Sequence, residues 1–263
     1  MTAVLEQMAV LQNTKVAADT WLMRLETRSL ARQARPGQFV MVAPSTSSAP
    51  GAGPLLKRPF SLHRIGPDNE ICLLYRVVGM GTRMLSDVRV GQSLEVLGPL
   101  GRGFWWPQDL EKAYLVGGGI GLAPLPALAD ALPPQTDITL FYGVRTAAEL
   151  APTDLLGKCA RNTVFCTDDS TAGRPGLITM PLAEALKESP APIFACGPRP
   201  MLAETVRLAD EYNVSVQVSM EARMACGLGA CLGCVVEAKG NGETKYVRVC
   251  QEGPVFDSGE VQW

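Results

Sequence analysis

Histidine is nearly missing from this chain: His63 stands alone among 263 residues. One imidazole excludes a zinc finger built on two cysteines and two histidines. It also excludes a Rieske centre, which needs two imidazoles on one iron. It leaves little room for a catalytic triad. Charge is sparse too. Charged residues make up 19% and the net charge is −2, without a run of one sign, so nothing points to nucleic acid or an anionic membrane surface. No apolar run reaches the ~18 residues of a membrane span. The stretch MTAVLEQMAVLQNTK has no basic n-region and no uninterrupted apolar h-region, so no signal peptide is read there. Together these absences predict a soluble, cytoplasmic protein.

Apolar residues are plentiful at 47%, and the length suffices for two domains and a small third piece. There are eight cysteines. Without an export signal they do not read as a disulfide framework. Cys72, Cys159 and Cys166 are isolated in apolar or mixed segments and read as small buried residues. Cys226, Cys231, Cys234 and Cys250 crowd the last forty residues.

The chain divides by rhythm into an α+β, multidomain arrangement. Residues 1–108 read as β: GQFVMV, ICLLYRVV and QSLEVLGP are short strands between Gly, Pro and Asp turns, predicting a small antiparallel barrel. APSTSSAPGAGP (43–54) reads as a flexible loop or insertion. Residues 109–218 alternate strand and helix, from AYLVGGG and LAPLPALADAL through DITLFYGV to SVQVSM, predicting a parallel sheet covered by helices. Residues 219–263 form a Gly- and Cys-rich tail. Its hairpin CVVEAKGNGETKYVRV turns at Gly240-Asn241-Gly242.

LVGGGIGLAP places Gly117, Gly118, Gly119 and Gly121 between a strand and a helix. Glycine there lets a pyrophosphate approach the backbone and the free N–H groups of the helix start, although a tight turn explains it equally. The next strand runs into YGVRT. Arg145 stands where an acid would hold a ribose, so NAD and NADP both remain open. RPFS (58–61) offers Arg58 for a phosphate. Regular strand geometry puts Arg58 and Phe60 on one face and Ser61 on the other, so one ligand touches Arg58 and Ser61 only at a strand end or bend. YRVVGMGT (75–82) adds Thr82, read as the cap of a helix TRMLSDV and a second anion site. ACGP (195–198) ends a strand at the carboxyl edge of the sheet, where Cys196 and Gly197 would face a ligand. Cys196 is read as partly exposed there, against the alternative of a buried strand-end thiol.

ACGLGACLGC (225–234) carries the most specific pattern. Cys226, Cys231 and Cys234 have the C-x4-C-x2-C spacing of plant-type [2Fe-2S] proteins, with Cys250 beyond. The loop's glycines permit positive φ and free N–H groups pointing at sulfur. The alternative is a structural zinc on the same four cysteines, but zinc ribbons pair two C-x2-C knuckles and only one is present. A cluster carries one electron and a nicotinamide gives or takes two. A flavin handles both, so a flavin site is required between them. The barrel is the remaining place for it.

The order RPFS, YRVVGMGT, GPLGRGF, VGGGIGLAPL, CGPRPML and EARMACGLGACLGC…VCQEGPVF resembles the electron-transfer subunits of the dihydroorotate dehydrogenase B type, within the ferredoxin–NAD(P) reductase superfamily. The resemblance runs from residue 35 to residue 256, and the cysteine block is its most specific part. It implies FAD on Arg58, Pro59, Phe60, Ser61, Leu74, Tyr75, Arg76, Gly81 and Thr82. It implies NAD as substrate and the cluster on Cys226, Cys231, Cys234 and Cys250. It further implies an FMN-containing dihydroorotate dehydrogenase catalytic subunit as partner, in a heterotetramer of two of each chain, with electrons passing from FMN through the cluster and FAD to NAD+ in pyrimidine biosynthesis. The competing reading is a flavin and iron–sulfur reductase subunit for a ferredoxin, hydrogenase or sulfite reductase partner.

Overall fold

The computed structural model describes residues 3–45, 54–67, 69–239 and 245–263. Most of the predicted 43–54 loop and the tip of the 240–242 turn lie outside them. Six antiparallel strands close a barrel: β1 (Val4–Lys15), β2 (Thr20–Glu26), β3 (Phe39–Val42), β4 (Arg58–Ile65), β5 (Glu70–Arg76) and β6 (Ser93–Leu100). Their order is β1-β2-β5-β4-β3-β6, with β6 paired back onto β1, so no edge is left open. Met8, Met23, Leu25, Leu62, Ile71 and Leu94 fill the interior. Two short helices decorate it, α1 (Leu30–Gln33) and α2 (Met80–Ser86).

The second part is a sheet of seven strands, β7 (Lys112–Gly118), β8 (Asp137–Val144), β9 (Thr163–Thr167), β10 (Arg174–Pro175), β11 (Ile193–Cys196), β12 (Val216–Ser219) and β15 (Val255–Asp257), ordered β10-β9-β8-β7-β11-β12-β15. All its pairings are parallel except that of β15, which runs antiparallel to β12. The central strands are apolar on both faces because α3 (Leu125–Ala131) covers one side and α4 (Thr179–Glu188) and α5 (Arg199–Glu211) the other. The strand order reverses between β7 and β11, which opens a crevice at their carboxyl ends. The Gly119–Leu122 turn follows β7 there, and Gly197 follows β11.

In the tail, β13 (Val235–Ala238) and β14 (Lys245–Arg248) form the predicted hairpin. The rest of the tail is not independent. Cys234, Val249 and Cys250 share one buried core with Met41 and Leu100 of the barrel and Val116, Val218 and Phe256 of the sheet. Among the described residues no helix is long and apolar enough to cross a membrane.

Candidate functional site

A cavity of about 380 Å³ opens at the seam between barrel and sheet. Arg58, Pro59, Phe60 and Ser61 all line it. Arg58 opens β4, and Arg58–Ser61 pair in register with β3 alone; the ladder to β5 begins only at Leu62, which leaves the other edge of this stretch without a partner strand. Leu74, Tyr75 and Arg76 enter from β5. Phe60 and Tyr75 meet edge to face, with ring centroids 5.5 Å apart. The Tyr75 hydroxyl donates to Asn13 Oδ1 at 2.9 Å, and burial raises its pKa. Gly81 does not line the cavity but backs it: a Cβ there would stand 2.7 Å from Arg58 Nε.

Thr82 departs from the predicted helix cap. The helix begins at Met80, and Thr82 sits in its first turn. Its Oγ1 accepts from the Val78 and Gly79 N–H groups at 2.9 and 3.1 Å, which ties down the glycine loop from inside the helix. Cys196 also departs from the partly exposed reading. It lines the first cavity yet is only 3% exposed, held on a central strand between β7 and β12. Burial, with the charge of Glu221 adding to it and a hydrogen bond to Ser219 opposing, pushes the thiol up to about 12. Glu221, like Ser219, is a polar residue of this cavity that no sequence motif singled out. It opens onto the cavity, and the protein packed around it raises its carboxyl pKa. Its position just past the end of β12 was the available signal.

A second cavity, of about 330 Å³, lies beyond the glycine-rich turn. The glycines divide their work. Gly118 and Gly119 line this cavity, whereas Gly117 and Gly121 give room to Leu122, Leu125 and the Cys196 carbonyl. A Cβ on Gly118 would stand 2.7 Å from Met201 Sδ and Pro198 Cδ, and one on Gly197 2.7 Å from Met201 Cε. Arg145 lines the cavity and, 66% exposed, donates to Glu149 Oε1 at 2.7 Å. Arg76 donates to the same oxygen at 3.1 Å. Burial opposes ionisation of Glu149, but the Arg145 hydrogen bonds and the Arg76 charge hold its pKa below the ordinary 4.5. Arg76 therefore belongs to both cavities. Glu149, Asp168 and Ile178, also in this wall, were not singled out from sequence.

Residues 219–226 lead out of the first cavity to the cysteines. Ser219, Glu221, Ala222 and Met224 line it, and Cys226 follows two residues later. Gly227 and Gly229 take φ of +71° and +78°, the left-handed conformation that favours glycine, and wrap the loop tightly. The Leu228 N–H points to Cys226 Sγ at 3.4 Å and the Gly229 N–H to Cys250 Sγ at 3.1 Å. The Gly233 N–H points to Cys231 Sγ and the Cys250 N–H to Cys234 Sγ, at 3.5 and 3.4 Å. The thiols lie in two neighbouring pairs, Cys226 beside Cys231 and Cys234 beside Cys250. Burial opposes ionisation of Cys226, but the N–H groups of Leu228, Cys231 and Ala230 bring it down to about 6. Among the described residues no three His, Cys, Asp or Glu side chains converge as ligands of one ion must. A [2Fe-2S] cluster would take two sulfurs on each iron, and the two pairs would supply them. Arg248 pins the loop by pairing with Glu252 and donating to the Gly229 carbonyl at 2.9 Å.

Residues 221–262 match the family model of the iron-sulfur cluster binding domain of dihydroorotate dehydrogenase B. The curated protein "Dihydroorotate dehydrogenase B (NAD(+)), electron transfer subunit" of Desulforamulus reducens is 36% identical, over 94% of each chain. Its counterpart from Geobacillus sp. is 38% identical over 97% of this chain and 98% of its own. The chain belongs to this family of electron-transfer subunits. Its fold follows that of an NADH-dependent reduced ferredoxin-NADP oxidoreductase, with a TM-score of 0.84 and 28% identity over 98% of this chain and 90% of that one. The ferredoxin reductase of carbazole 1,9a-dioxygenase aligns with a TM-score of 0.69 and 25% identity, over 81% and 67%. An electron-transfer subunit works with a catalytic partner. Around the cysteine loop Leu228, Leu232, Val235 and Tyr246 are 51%, 61%, 42% and 58% exposed, an apolar surface beside the thiols.

Proposed function

We propose that this subunit carries electrons between an FMN-containing, dihydroorotate-oxidising partner and NAD+. FAD lies in the first cavity, the nicotinamide nucleotide in the second, and a [2Fe-2S] cluster is held by Cys226 and Cys231 on one side and Cys234 and Cys250 on the other. The observation that carries the reading is continuity. One wall residue, Arg76, belongs to both cavities, and the chain from Ser219 to Cys226 leads from the first cavity into the thiol loop.

When bound, a flavin takes up an electron pair and passes it on singly, and a cluster carries electrons one at a time. The protein's share is placement. Arg58, with Ser61 and the N–H groups near Gly81 and Thr82, meets the anionic part of the flavin cofactor, while Tyr75 and Leu74 shape its apolar bed. Gly118 and Gly119 let the dinucleotide phosphates approach the backbone. Cys196 and Gly197 close the crevice where the two ligands meet, with Cys196 a neutral thiol. Residues 1–108 form the FAD unit, 109–218 the nucleotide unit and 219–263 the cluster unit. Leu228, Leu232, Val235 and Tyr246 face the partner, in an assembly of two of each chain.

The test is the absorption spectrum of the purified protein, with iron, acid-labile sulfide and flavin analysis. Flavin and iron–sulfur bands that bleach with NADH are expected. A colourless zinc protein would overturn the reading. A Cys231→Ser variant that kept the iron–sulfur bands and full coupling to the partner would refute the ligand assignment.

A further inference from the structure

His63 is fully buried, and the proposed function gives it no part. It follows Arg58–Ser61 on β4. In a regular strand neighbours point to opposite faces, so His63 and Arg64 should diverge. They do not, because the ladder with β5 slips there. Leu62 pairs with Leu73 and Arg64 with Cys72, so His63 is the extra residue of a β-bulge. Both side chains reach the nucleotide-binding half. His63 Nδ1 lies 3.0 Å from the Ala123 carbonyl oxygen. A carbonyl only accepts, so Nδ1 carries the proton. Arg64 pairs with Asp130 in the last turn of α3 and donates to the Leu155 carbonyl at 3.3 Å. Gly157, at φ +58°, leaves space for that guanidinium that a side chain would fill.

The anchor point is informative. Ala123 lines the flavin cavity and directly follows the Gly119–Leu122 turn. One hydrogen bond thus ties the strand of the flavin residues to the turn of the nucleotide residues. It is held at a cost, since among the described residues His63 Nε2 has no partner. A leucine would avoid that cost but would lack the Nδ1 donor.

We propose that His63 and Arg64 form a latch that sets the gap across which the nicotinamide meets the flavin, with His63 the positioning residue. This rests on the flavin and nucleotide sites proposed above. Hydride transfer needs its reacting atoms ~3–3.5 Å apart, and a shift of ~1 Å can cost ~100-fold in rate.

The test compares His63→Asn, His63→Gln and His63→Leu in the flavin- and cluster-loaded protein. Asparagine puts an amide N–H at the Nδ1 position, glutamine carries its donor one bond further, and leucine has none. All three should keep the flavin and iron–sulfur bands. In H63L and H63Q the rate of flavin reduction by NADH should fall about tenfold, the size of one lost hydrogen bond. The long-wavelength charge-transfer absorbance of NAD+ on reduced flavin should fade with it. H63N should keep both. Wild-type rate and absorbance in H63L, or an H63N as impaired as H63L, would overturn the latch. Should H63L not fold, Arg64→Met and Asp130→Asn decide on the solvent side: an unchanged charge-transfer band in both would overturn it. A wild-type protein that bound no flavin or no NADH would instead overturn the sites on which the latch rests.

Discussion

Single residues decide how the flavin strand meets its ligand. Gly81 is neither positive in φ nor part of the cavity wall, yet it is required by space, because Arg58 Nε occupies the place of its absent Cβ at 2.7 Å. The obstructing group is the end of a flexible side chain. A methyl group at residue 81 therefore displaces Arg58 rather than the fold. Gly81→Ala should leave the melting temperature nearly unchanged and weaken FAD retention by roughly tenfold, the effect of one charge-assisted hydrogen bond. Fluorescence of released flavin measures this. FAD held as tightly as in the wild type would remove Arg58 from the flavin site. Cys196 teaches the opposite lesson about local reading. Its place at a strand end reads as partly exposed, but β7 and β12 flank it and leave it buried.

At the scale of elements, the His63 bulge carries a pH dependence. Burial is the main reason its pKa falls to about 4 from the ordinary 6.5; the hydrogen bond to Ala123 and the carbonyl of Leu155 oppose this, and the Arg64 charge adds to it. The unfolded chain takes up a proton on this imidazole below 6.5, and the folded one resists until about 4. Stability attributable to the neutral imidazole is thus intact above that window and is lost as pH falls through it, by about 3 kcal/mol. Urea unfolding above and within the window should show this loss in the wild type and a smaller one in His63→Leu. Equal slopes would refute it. The bulge itself was not legible in RPFSLHRI, since a one-residue slip in pairing leaves no periodic signature. DITLFYGV, by contrast, is β8 residue for residue, because its middle, Leu140, Phe141 and Tyr142, is buried on both faces and is written as consecutive apolar residues. The thiol loop was legible from spacing and glycine. β15 was not: three residues of the tail become a strand only because β12 offers them an edge. The cavity walls were half legible, through motifs at strand ends. Glu149, Asp168 and Glu221 were not, because only the folded chain brings the first two to the second cavity and Glu221 to the first.

At the scale of the molecule, the three parts share interiors. Phe256 comes from the tail, lies 2% exposed in β15, and packs in the core that also holds Cys234, Cys250, Met41 and the sheet. Phe256→Ala should cost about 3–5 kcal/mol, and the cluster bands and NADH binding should be lost in one unfolding transition. Separate transitions would mean an independent cluster unit. The same economy of chain bears on activity. A (β/α)8 barrel able to bind a pyrimidine needs ~250 residues of its own. The described residues form a six-stranded barrel, a mostly parallel open sheet and a thiol loop, none of which is a (β/α)8 barrel. The isolated subunit should therefore oxidise NADH with an artificial one-electron acceptor and leave dihydroorotate untouched. Adding the catalytic partner should restore dihydroorotate-dependent reduction of NAD+. A Cys231→Ser subunit should lose that coupled reaction while keeping NADH reduction of its flavin, since Cys231 is exposed in the thiol loop and does not line the flavin cavity. Dihydroorotate oxidation by the purified chain alone would overturn the division of labour between the subunits.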